Sequence, residues 1–162
     1  MVSTHQNLLS EEELRFLDSL CLKFVETNTH SIKTKYNYYI RKVLDIEKDL
    51  LEYQKCCRAL INDDYELFGL WINKVTEKTN INDDFHNDDA DLTIITYINE
   101  DFTGGEFEYF LKDKKIKITP QMNHTIMLNR KIKHRVLNVV GGSRFSLISF
   151  YTIIEKNEKT LI

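Results

Sequence analysis

The chain has 162 residues, of which 42% are hydrophobic and 29% are charged, and its formal net charge is −3. This length and composition are typical of a single folded domain, here residues 1–162, with a core of its own. The basic residues are scattered along the chain, which disfavours a nucleic-acid partner. No apolar run approaches the roughly 18 residues that a membrane span needs, so we expect no membrane partner.

The three cysteines indicate the redox environment. Cys56 and Cys57 are adjacent in a helix-like segment, and an odd number without zinc-type spacing is not a disulfide framework. The first residues, MVSTHQNLLSEEE, lack the basic start and the apolar run of a secretion signal. We therefore expect a reducing, intracellular location, most simply the cytoplasm.

Residues 10–65 are predicted to form a helical support for the rest of the chain. Ser10 and Glu13 form a capping box, and the segment ELRFLDSLCLKFVE repeats apolar residues at helical spacing. A polar loop follows, and IEKDLLEYQKCCRALI predicts a second amphipathic helix. The residues around His5 carry no such pattern, and we expect them to be loose.

From residue 66 to residue 153 the pattern changes to short segments rich in β-branched and aromatic residues. The predicted strands are LFGLWINKV, a short strand running into His86, LTIITYI, EFEYFL, KIKITP, HTIMLN, RVLNVV and RFSLISFYTII. Turn signals separate them, among them Gly104-Gly105 and Gly141-Gly142. Helices followed by about eight strands predict an α+β fold with a barrel or jelly roll. Residues 154–162 are expected to be a frayed tail.

The segment DDFHNDDADLTI, residues 83–94, carries one histidine among several aspartates. Most such segments are solvated loops, but in an extended chain His86 and Asp88 project from one face and can bind one metal ion. A second histidine would complete a two-histidine, one-carboxylate triad, which leaves coordination positions open and suits non-haem Fe(II). An EF-hand calcium loop is disfavoured, because its glycine and terminal glutamate are missing.

His134 is the most informative of the other histidines. His5 lies near the N-terminus and His30 in a polar loop, whereas His124 begins a predicted strand and is readily explained as an ordinary strand-edge histidine. His134 is followed ten residues later by Arg144, just past the Gly-Gly pair.

Arg144 begins a strongly apolar strand, where a guanidinium is costly unless it meets an anion. One candidate anion is a structural acid, with Glu106 and Glu108 as the nearest choices. The other is the carboxylate of a bound cosubstrate, which a guanidinium holds bidentately. The sequence leaves both interpretations open.

Three features together resemble the Fe(II)/2-oxoglutarate-dependent dioxygenases. They are HND, LTIITYINEDFTGGEFEYF, and a histidine and an arginine separated by nine residues. The similarity is to the prolyl 4-hydroxylase-like branch, which includes lysyl hydroxylases, and it covers roughly residues 66–153. The resemblance implies a double-stranded β-helix, also called a jelly roll, braced by N-terminal helices.

The resemblance also implies roles for individual residues. The iron ligands and catalytic centre would be His86, Asp88 and His134. Arg144 would pair with the distal carboxylate of 2-oxoglutarate. Tyr97 aligns with a tyrosine that hydrogen-bonds this carboxylate in some members, with a purely core role as the alternative, and Ser146 would share the same anion. A tyrosine that the family often has before the first ligand is missing between Val75 and Lys78.

The implied cofactors are Fe(II), 2-oxoglutarate as cosubstrate and O2, with ascorbate as an optional reductant. The implied reaction hydroxylates a C–H bond and releases succinate and CO2, and Asp88 favours hydroxylation because halogenating relatives have a small residue there. The branch favours a peptidyl proline, or lysine, as substrate, with a free amino acid or another small molecule as the alternative. Demethylases of nucleic acids carry a second arginine where this chain has Phe150. Residues 80–84 and 27–39 are the predicted substrate-lid segments.

Two other classes compete with this prediction. A non-catalytic jelly-roll binding module would keep the fold, but degenerate members usually lack one ligand or the basic residue, and here all four are present. A zinc enzyme could use the same histidines and aspartate. That interpretation leaves Arg144 without a role.

Overall fold

The computed structural model describes residues 1–27, 32–33, 39–42, 50–79 and 84–154. The predicted lid segments and the predicted tail lie largely outside these residues. None of the described helices is long and apolar enough to cross a membrane. The described elements are β1 (Val2–Gln6), α1 (Glu11–Thr27), β2 (Ile32–Lys33), β3 (Tyr39–Lys42), α2 (Leu51–Arg58), β4 (Tyr65–Thr76), β5 (Leu92–Tyr97), β6 (Phe102–Gly104), β7 (Phe107–Leu111), β8 (Lys114–Ile118), β9 (His124–Asn129), β10 (His134–Val136) and β11 (Val139–Ile153).

The strands form two antiparallel sheets, and with the two helices they give the predicted α+β jelly roll. The larger sheet has the order β1-β9-β5-β11-β4-β3-β2, with β6 paired to the start of β11. The smaller sheet has the order β10-β7-β8. Sequence neighbours are often not sheet neighbours in this arrangement, so residues far apart in the chain meet between the sheets.

The larger sheet has two differently covered faces, because side chains alternate along each strand. One face, which we call the helix side, packs Leu70, Ile94 and Leu147 against residues of the helices such as Leu17 and Tyr53. The other, which we call the inner face, faces the smaller sheet. There, Ile95, Tyr97, Ile126 and Leu128 pack against Phe107, Tyr109 and Ile132.

The start of α1 follows the sequence closely. The Ser10 backbone N–H donates to Glu13 Oε2 at 2.7 Å, and the Glu13 N–H donates to Ser10 Oγ at 3.2 Å, which confirms the capping box. The second helix spans Leu51–Arg58 in the described chain, and Tyr53 and Cys57 are its buried residues.

Three local predictions are wrong. Within the segment predicted as a polar loop, β2 and β3 pair with each other, and β3 pairs with β4. The residues around His5 are not loose: they form β1, which pairs with β9 in the register Val2↔Leu128. The backbone hydrogen-bonding groups of this short segment find their partners in β9, which lies far along the chain. Gly141-Gly142 is not a chain reversal but lies within β11, paired to β6. Gly142 has φ +81°, and a Cβ there would lie 2.1 Å from the Asp101 carbonyl oxygen, so this glycine permits a close approach of two backbones.

Candidate metal and cosubstrate site

The predicted triad converges between the two sheets. His86 and His134 form an isolated antiparallel bridge, in which the His86 N–H donates to the His134 carbonyl at 2.9 Å and the reverse bond is 2.8 Å. Asp88 lies two residues further on, and its carboxylate oxygens are 3.9 Å from His86 Nε2 and 3.7 Å from His134 Nε2. One candidate ligand atom from each residue lies within 4.8 Å of the others.

Backbone carbonyls orient both imidazoles. His86 Nδ1 is 3.2 Å from the Asp84 carbonyl oxygen, and His134 Nδ1 is 3.1 Å from that of Ile132. A carbonyl can only accept, so each Nδ1 donates this bond and each Nε2 is left on the side of Asp88. Metal-binding histidines characteristically make this kind of outer hydrogen bond.

The environment keeps this cluster suited to cation binding. Burial lowers the pKa of His134, the Asp88 carboxylate and the Ile132 carbonyl oppose that shift, and His86 adds to it. A neutral imidazole is the form that ligates a metal. Thr93 Oγ1 donates to Asp88 Oδ2 at 2.7 Å, which fixes the orientation of the carboxylate. Oδ1 is left on the side of His86, 3.9 Å from its Nε2.

Arg144 lies on the inner face and is only 4% exposed. Its Nη1 donates to the Gly105 carbonyl at 2.9 Å, and its Cζ lies 5.8 Å from the centre of the Tyr97 ring. Nε is buried and has no hydrogen-bond partner among the described residues. Burial lowers the pKa of Arg144 below its usual value, an effect that Tyr97 opposes. The guanidinium is thus desolvated but not fully paired.

The structural acids predicted as partners of Arg144 are engaged elsewhere. Glu108 accepts a hydrogen bond from Arg135 Nε at 2.8 Å and lies 3.6 Å from Lys115 Nζ. Glu106 lies 3.3 Å from Lys117 Nζ. In the described residues, no ion pair joins Arg144 to a carboxylate, so the salt-bridge interpretation does not hold for either candidate.

A row of polar side chains lies beside Arg144. In the sheet register Ser146 pairs with Tyr97 on one side and with Asn73 on the other, so the three side chains share the inner face. Tyr97 and Ser146 are each 1% exposed. Asn73 Oδ1 is buried without a described partner. Asn73 is not among the residues predicted from the sequence, although an asparagine inside the apolar strand LWINKV is a usable signal.

His124 does not join the triad. It begins β9 and is 9% exposed, and burial lowers the pKa of its imidazole. By strand alternation it lies on the same face as Ile126, and its Nδ1 is buried with no partner in the part of the chain described. The interpretation of His124 as an ordinary strand-edge residue therefore understates its burial.

The aspartates of the segment 83–94 are not equivalent. Asp84 and Asp89 are exposed, and Asp83 lies outside the described residues. Asp91 accepts hydrogen bonds from the Ile153 N–H at 3.0 Å and from Thr152 Oγ1 at 3.1 Å, and thus ties the segment to the end of β11. Nothing in the local sequence separates Asp91 from its neighbours, because its partners lie about 60 residues further along the chain.

Comparison with known proteins gives one family match and several structures of similar fold. The family model of the 2OG-Fe(II) oxygenase superfamily matches residues 72–152. A search of curated proteins finds no match. A prolyl-4-hydroxylase from Pseudomonas putida has a TM-score of 0.74 at 18% identity, over 94% of this chain and 92% of that one.

Two further solved structures show how widely the fold is used. A prolyl hydroxylase from Trichoplax adhaerens, in complex with a hypoxia inducible factor peptide fragment, has a TM-score of 0.74 at 14% identity, over 94% of this chain and 83% of that one. SnoN, a non-haem alpha-ketoglutarate-dependent epimerase from nogalamycin biosynthesis, has a TM-score of 0.78 at 11% identity, over 94% and 78%. At these identities the likeness establishes the fold alone.

The family match covers half of the chain and includes every residue of the triad as well as Arg144. The fold built from the strands is the one that the family uses. The chain therefore belongs to the 2OG-Fe(II) oxygenase superfamily and is an oxygenase whose cofactors are Fe(II) and 2-oxoglutarate.

Proposed function

We propose that this oxygenase hydroxylates a peptidyl proline, with Arg144 binding the distal carboxylate of 2-oxoglutarate. The proposed iron ligands are His86, Asp88 and His134. The observation that carries the proposal is the buried guanidinium of Arg144, which has no acid partner in the described residues and faces the same interior as the triad. A desolvated cation without an anion is costly, and a bound dicarboxylate would remove that cost.

The donor set fits Fe(II). Two imidazole nitrogens and one carboxylate oxygen form the facial arrangement that leaves positions open for a chelating cosubstrate and O2. A carboxylate at Asp88 also favours hydroxylation over halogenation. Zinc would accept the same donors, but a zinc enzyme would give Arg144 no ligand to bind.

The surroundings of Arg144 fit a carboxylate. A Cβ added to Gly105 would lie 3.0 Å from Arg144 Nη1, so the absence of a side chain there lets the guanidinium lie against the backbone. The Nε edge remains without an acceptor among the described residues. Carboxylate recognition uses two parallel N–H groups of a guanidinium, and the Tyr97 and Ser146 hydroxyls are on the same face to complete the contact.

Bound iron and 2-oxoglutarate supply the oxidising chemistry, in which O2 is reduced while 2-oxoglutarate is converted to succinate and CO2. The chain's own residues orient the proposed metal ligands and exclude water from them. Thr93 holds the Asp88 carboxylate, the carbonyls of Asp84 and Ile132 hold the imidazoles, and Phe107 stacks on the His134 ring at 5.2 Å between centroids.

A peptide substrate is supported by the proteins that share the fold. One similar structure is a prolyl-4-hydroxylase, and another holds a peptide fragment. The epimerase of similar fold favours a small molecule as the second candidate. Nucleic acid is disfavoured as a substrate, because this chain has Phe150 at the position where demethylases of nucleic acids carry a second arginine. The three free cysteines support an intracellular, reducing setting.

The test is turnover of purified protein supplied with Fe(II) and 2-oxoglutarate under air. Blocked prolyl peptides, matched lysyl peptides and free amino acids are compared for gain of one oxygen atom by mass spectrometry and for succinate formation. We expect oxygen gain on prolyl peptides, with succinate in matching amount. Oxygen gain on free amino acids alone would replace the proposal with the small-molecule alternative.

A further inference from the structure

Trp71 is the single tryptophan of the chain and lies on the inner face of β4. Its sheet neighbour is Ile148, and Leu70 and Ile72 on either side of it pack on the helix side. Trp71 Nε1 is buried and has no acceptor in the described residues. An indole N–H is a donor only, and a buried one normally finds a partner.

Two phenylalanines accompany Trp71. The Trp71 and Phe150 rings lie 5.0 Å apart at 66°, and the Phe68 ring lies 6.2 Å from that of Phe150. Phe150 pairs with Gly69 and the next residue of β11 pairs with Leu67, so Phe68 is the extra residue of a β-bulge. A bulge redirects a side chain, and Phe68 is 46% exposed at the open end of this group.

This aromatic group of Phe68, Trp71 and Phe150 adjoins the triad. Phe150 pairs with Gly69 on one side and with Thr93 on the other, and Thr93 Oγ1 donates to Asp88. A Cβ built on Gly69 would lie 3.3 Å from Phe150 and 3.6 Å from Trp71 Nε1. The indole nitrogen therefore lies beside the sheet row that leads to the metal ligands.

We propose that the aromatic group is the subsite for the target prolyl residue and that Trp71 Nε1 donates a hydrogen bond to a substrate main-chain carbonyl. This inference rests on the proposed function. The row formed by Gly69, Phe150 and Thr93 has no charged side chain, which suits a neutral group. An Xaa-Pro amide offers a carbonyl acceptor and no N–H, which complements a donor without an acceptor. Aromatic faces bury the pyrrolidine ring.

A lysyl side chain fits the same row less well. Its ammonium can lie over an aromatic face, but the row formed by Gly69, Phe150 and Thr93 has no charged side chain to pair with it, so burial of the ammonium is costly. The alternatives are distinguished by using acetyl-Ala-Pro-Ala-amide, acetyl-Ala-Lys-Ala-amide and free proline as probes. Because the chain has one tryptophan, its emission reports directly on the proposed subsite.

The experiment has two arms. In the first, anaerobic holoenzyme with Fe(II) and 2-oxoglutarate is titrated with each probe while Trp71 emission is recorded. In the second, turnover under air gives KM and kcat for Trp71→Phe, which removes the N–H and keeps an aromatic ring. Phe16→Leu is the matched control, since Phe16 is 43% exposed on α1, away from the inner face.

We expect the prolyl peptide to shift the emission and Trp71→Phe to raise the peptide KM about fivefold to tenfold, more than it raises the cosubstrate KM. Phe16→Leu should leave both KM values unchanged. If the wild type hydroxylates the prolyl peptide with an unchanged emission and an unchanged KM in Trp71→Phe, the subsite is wrong and the proposed function stands. If no prolyl peptide is hydroxylated but the emission still responds to it, the subsite stands and the proposed reaction falls. A response to the lysyl peptide alone overturns the assignment to proline.

Discussion

The two faces of the larger sheet treat buried polar groups in opposite ways. On the helix side the hydroxyls form a continuous chain: Ser149 donates to Tyr53 at 3.4 Å, Tyr53 donates to Thr96 at 3.3 Å, and Thr96 and Thr125 are 2.9 Å apart. Five buried polar side-chain atoms have no partner among the described residues; one, Gln54 Nε2, belongs to α2, and the other four lie on the inner face. These are Asn73 Oδ1, Trp71 Nε1, His124 Nδ1 and Arg144 Nε.

The proposed function explains this contrast: the polar groups of the helix side hold the fold, and those of the inner face would bind a ligand. A buried polar group without a partner is destabilising, and folded proteins contain few of them. The hydroxyls of the helix side need nothing further, because they satisfy one another. Under the proposed function, the unpaired donors and acceptors of the inner face would find their partners in molecules that enter between the sheets.

The largest effect should follow from loss of the anionic ligand. Asp88→Ala removes the only carboxylate of the triad, so we expect iron content and succinate formation to fall at least about 100-fold. Asp89→Asn is the matched control, because Asp89 is exposed, and it should retain nearly full activity. Equal losses in both variants would mean that the segment acts only through its overall charge.

Removal of the buried cation should come next. Arg144→Gln leaves the proposed carboxylate without its partner, which typically costs about 3 to 5 kcal/mol, so the cosubstrate KM should rise on the order of 100-fold or more. Iron content should change little. Arg135→Gln is the control, since Arg135 pairs with Glu108. An unchanged cosubstrate KM in Arg144→Gln would make Arg144 structural.

A helix-side change should have the opposite profile. Tyr53→Phe removes the hydroxyl that links Ser149 to Thr96 and should lower the free energy of unfolding by about 1 to 3 kcal/mol. The residue does not face the proposed cosubstrate position, so the cosubstrate KM should stay close to the wild-type value. Thermal unfolding and steady-state kinetics measure both, and a large change in KM with unchanged stability would reverse the distinction between the faces.

The smallest effect concerns acid stability. The Ile153 N–H bond lowers the pKa of Asp91, with burial opposing and with Thr152 and Arg130 adding to the shift. A depressed folded pKa stabilises the protein above the unfolded pKa of about 3.9, and this contribution is lost as the pH falls through the folded value. Asp91→Asn should therefore lower the Tm slightly at neutral pH and much less in strong acid, below both pKa values. An equal change in Tm under both conditions would contradict this role.

Local sequence patterns predict the parts that depend on near neighbours. The capping box of Ser10 and Glu13 and the extended His86-Asn87-Asp88 unit need only adjacent residues, and both occur as expected. Strand β1 is not predictable in this way, because its partner β9 lies at the far end of the chain. The role of Gly142 is not predictable either, because the contact that requires a glycine is with the distant Asp101 carbonyl. From the sequence alone, Gly142 resembles a turn residue.

The residues of the candidate site also differ in whether the sequence predicts them. His134 and Arg144 are identifiable because their spacing resembles a family motif. Asn73 and Trp71 are not, because their importance depends on which face of β4 turns inward and on what pairs beside it. That information lies in the register between β4 and β11, which no single strand contains.

The most direct test of the central claim is a crystal structure of the protein with Fe(II) and 2-oxoglutarate grown without O2. We predict one metal bound by His86 Nε2, an Asp88 carboxylate oxygen and His134 Nε2. The distal carboxylate of 2-oxoglutarate should lie within hydrogen-bonding distance of the Arg144 guanidinium. The donor should be Nε or another N–H that the Gly105 carbonyl does not accept. A 2-oxoglutarate molecule bound away from Arg144, or a metal that omits any of the three ligands, would contradict the account.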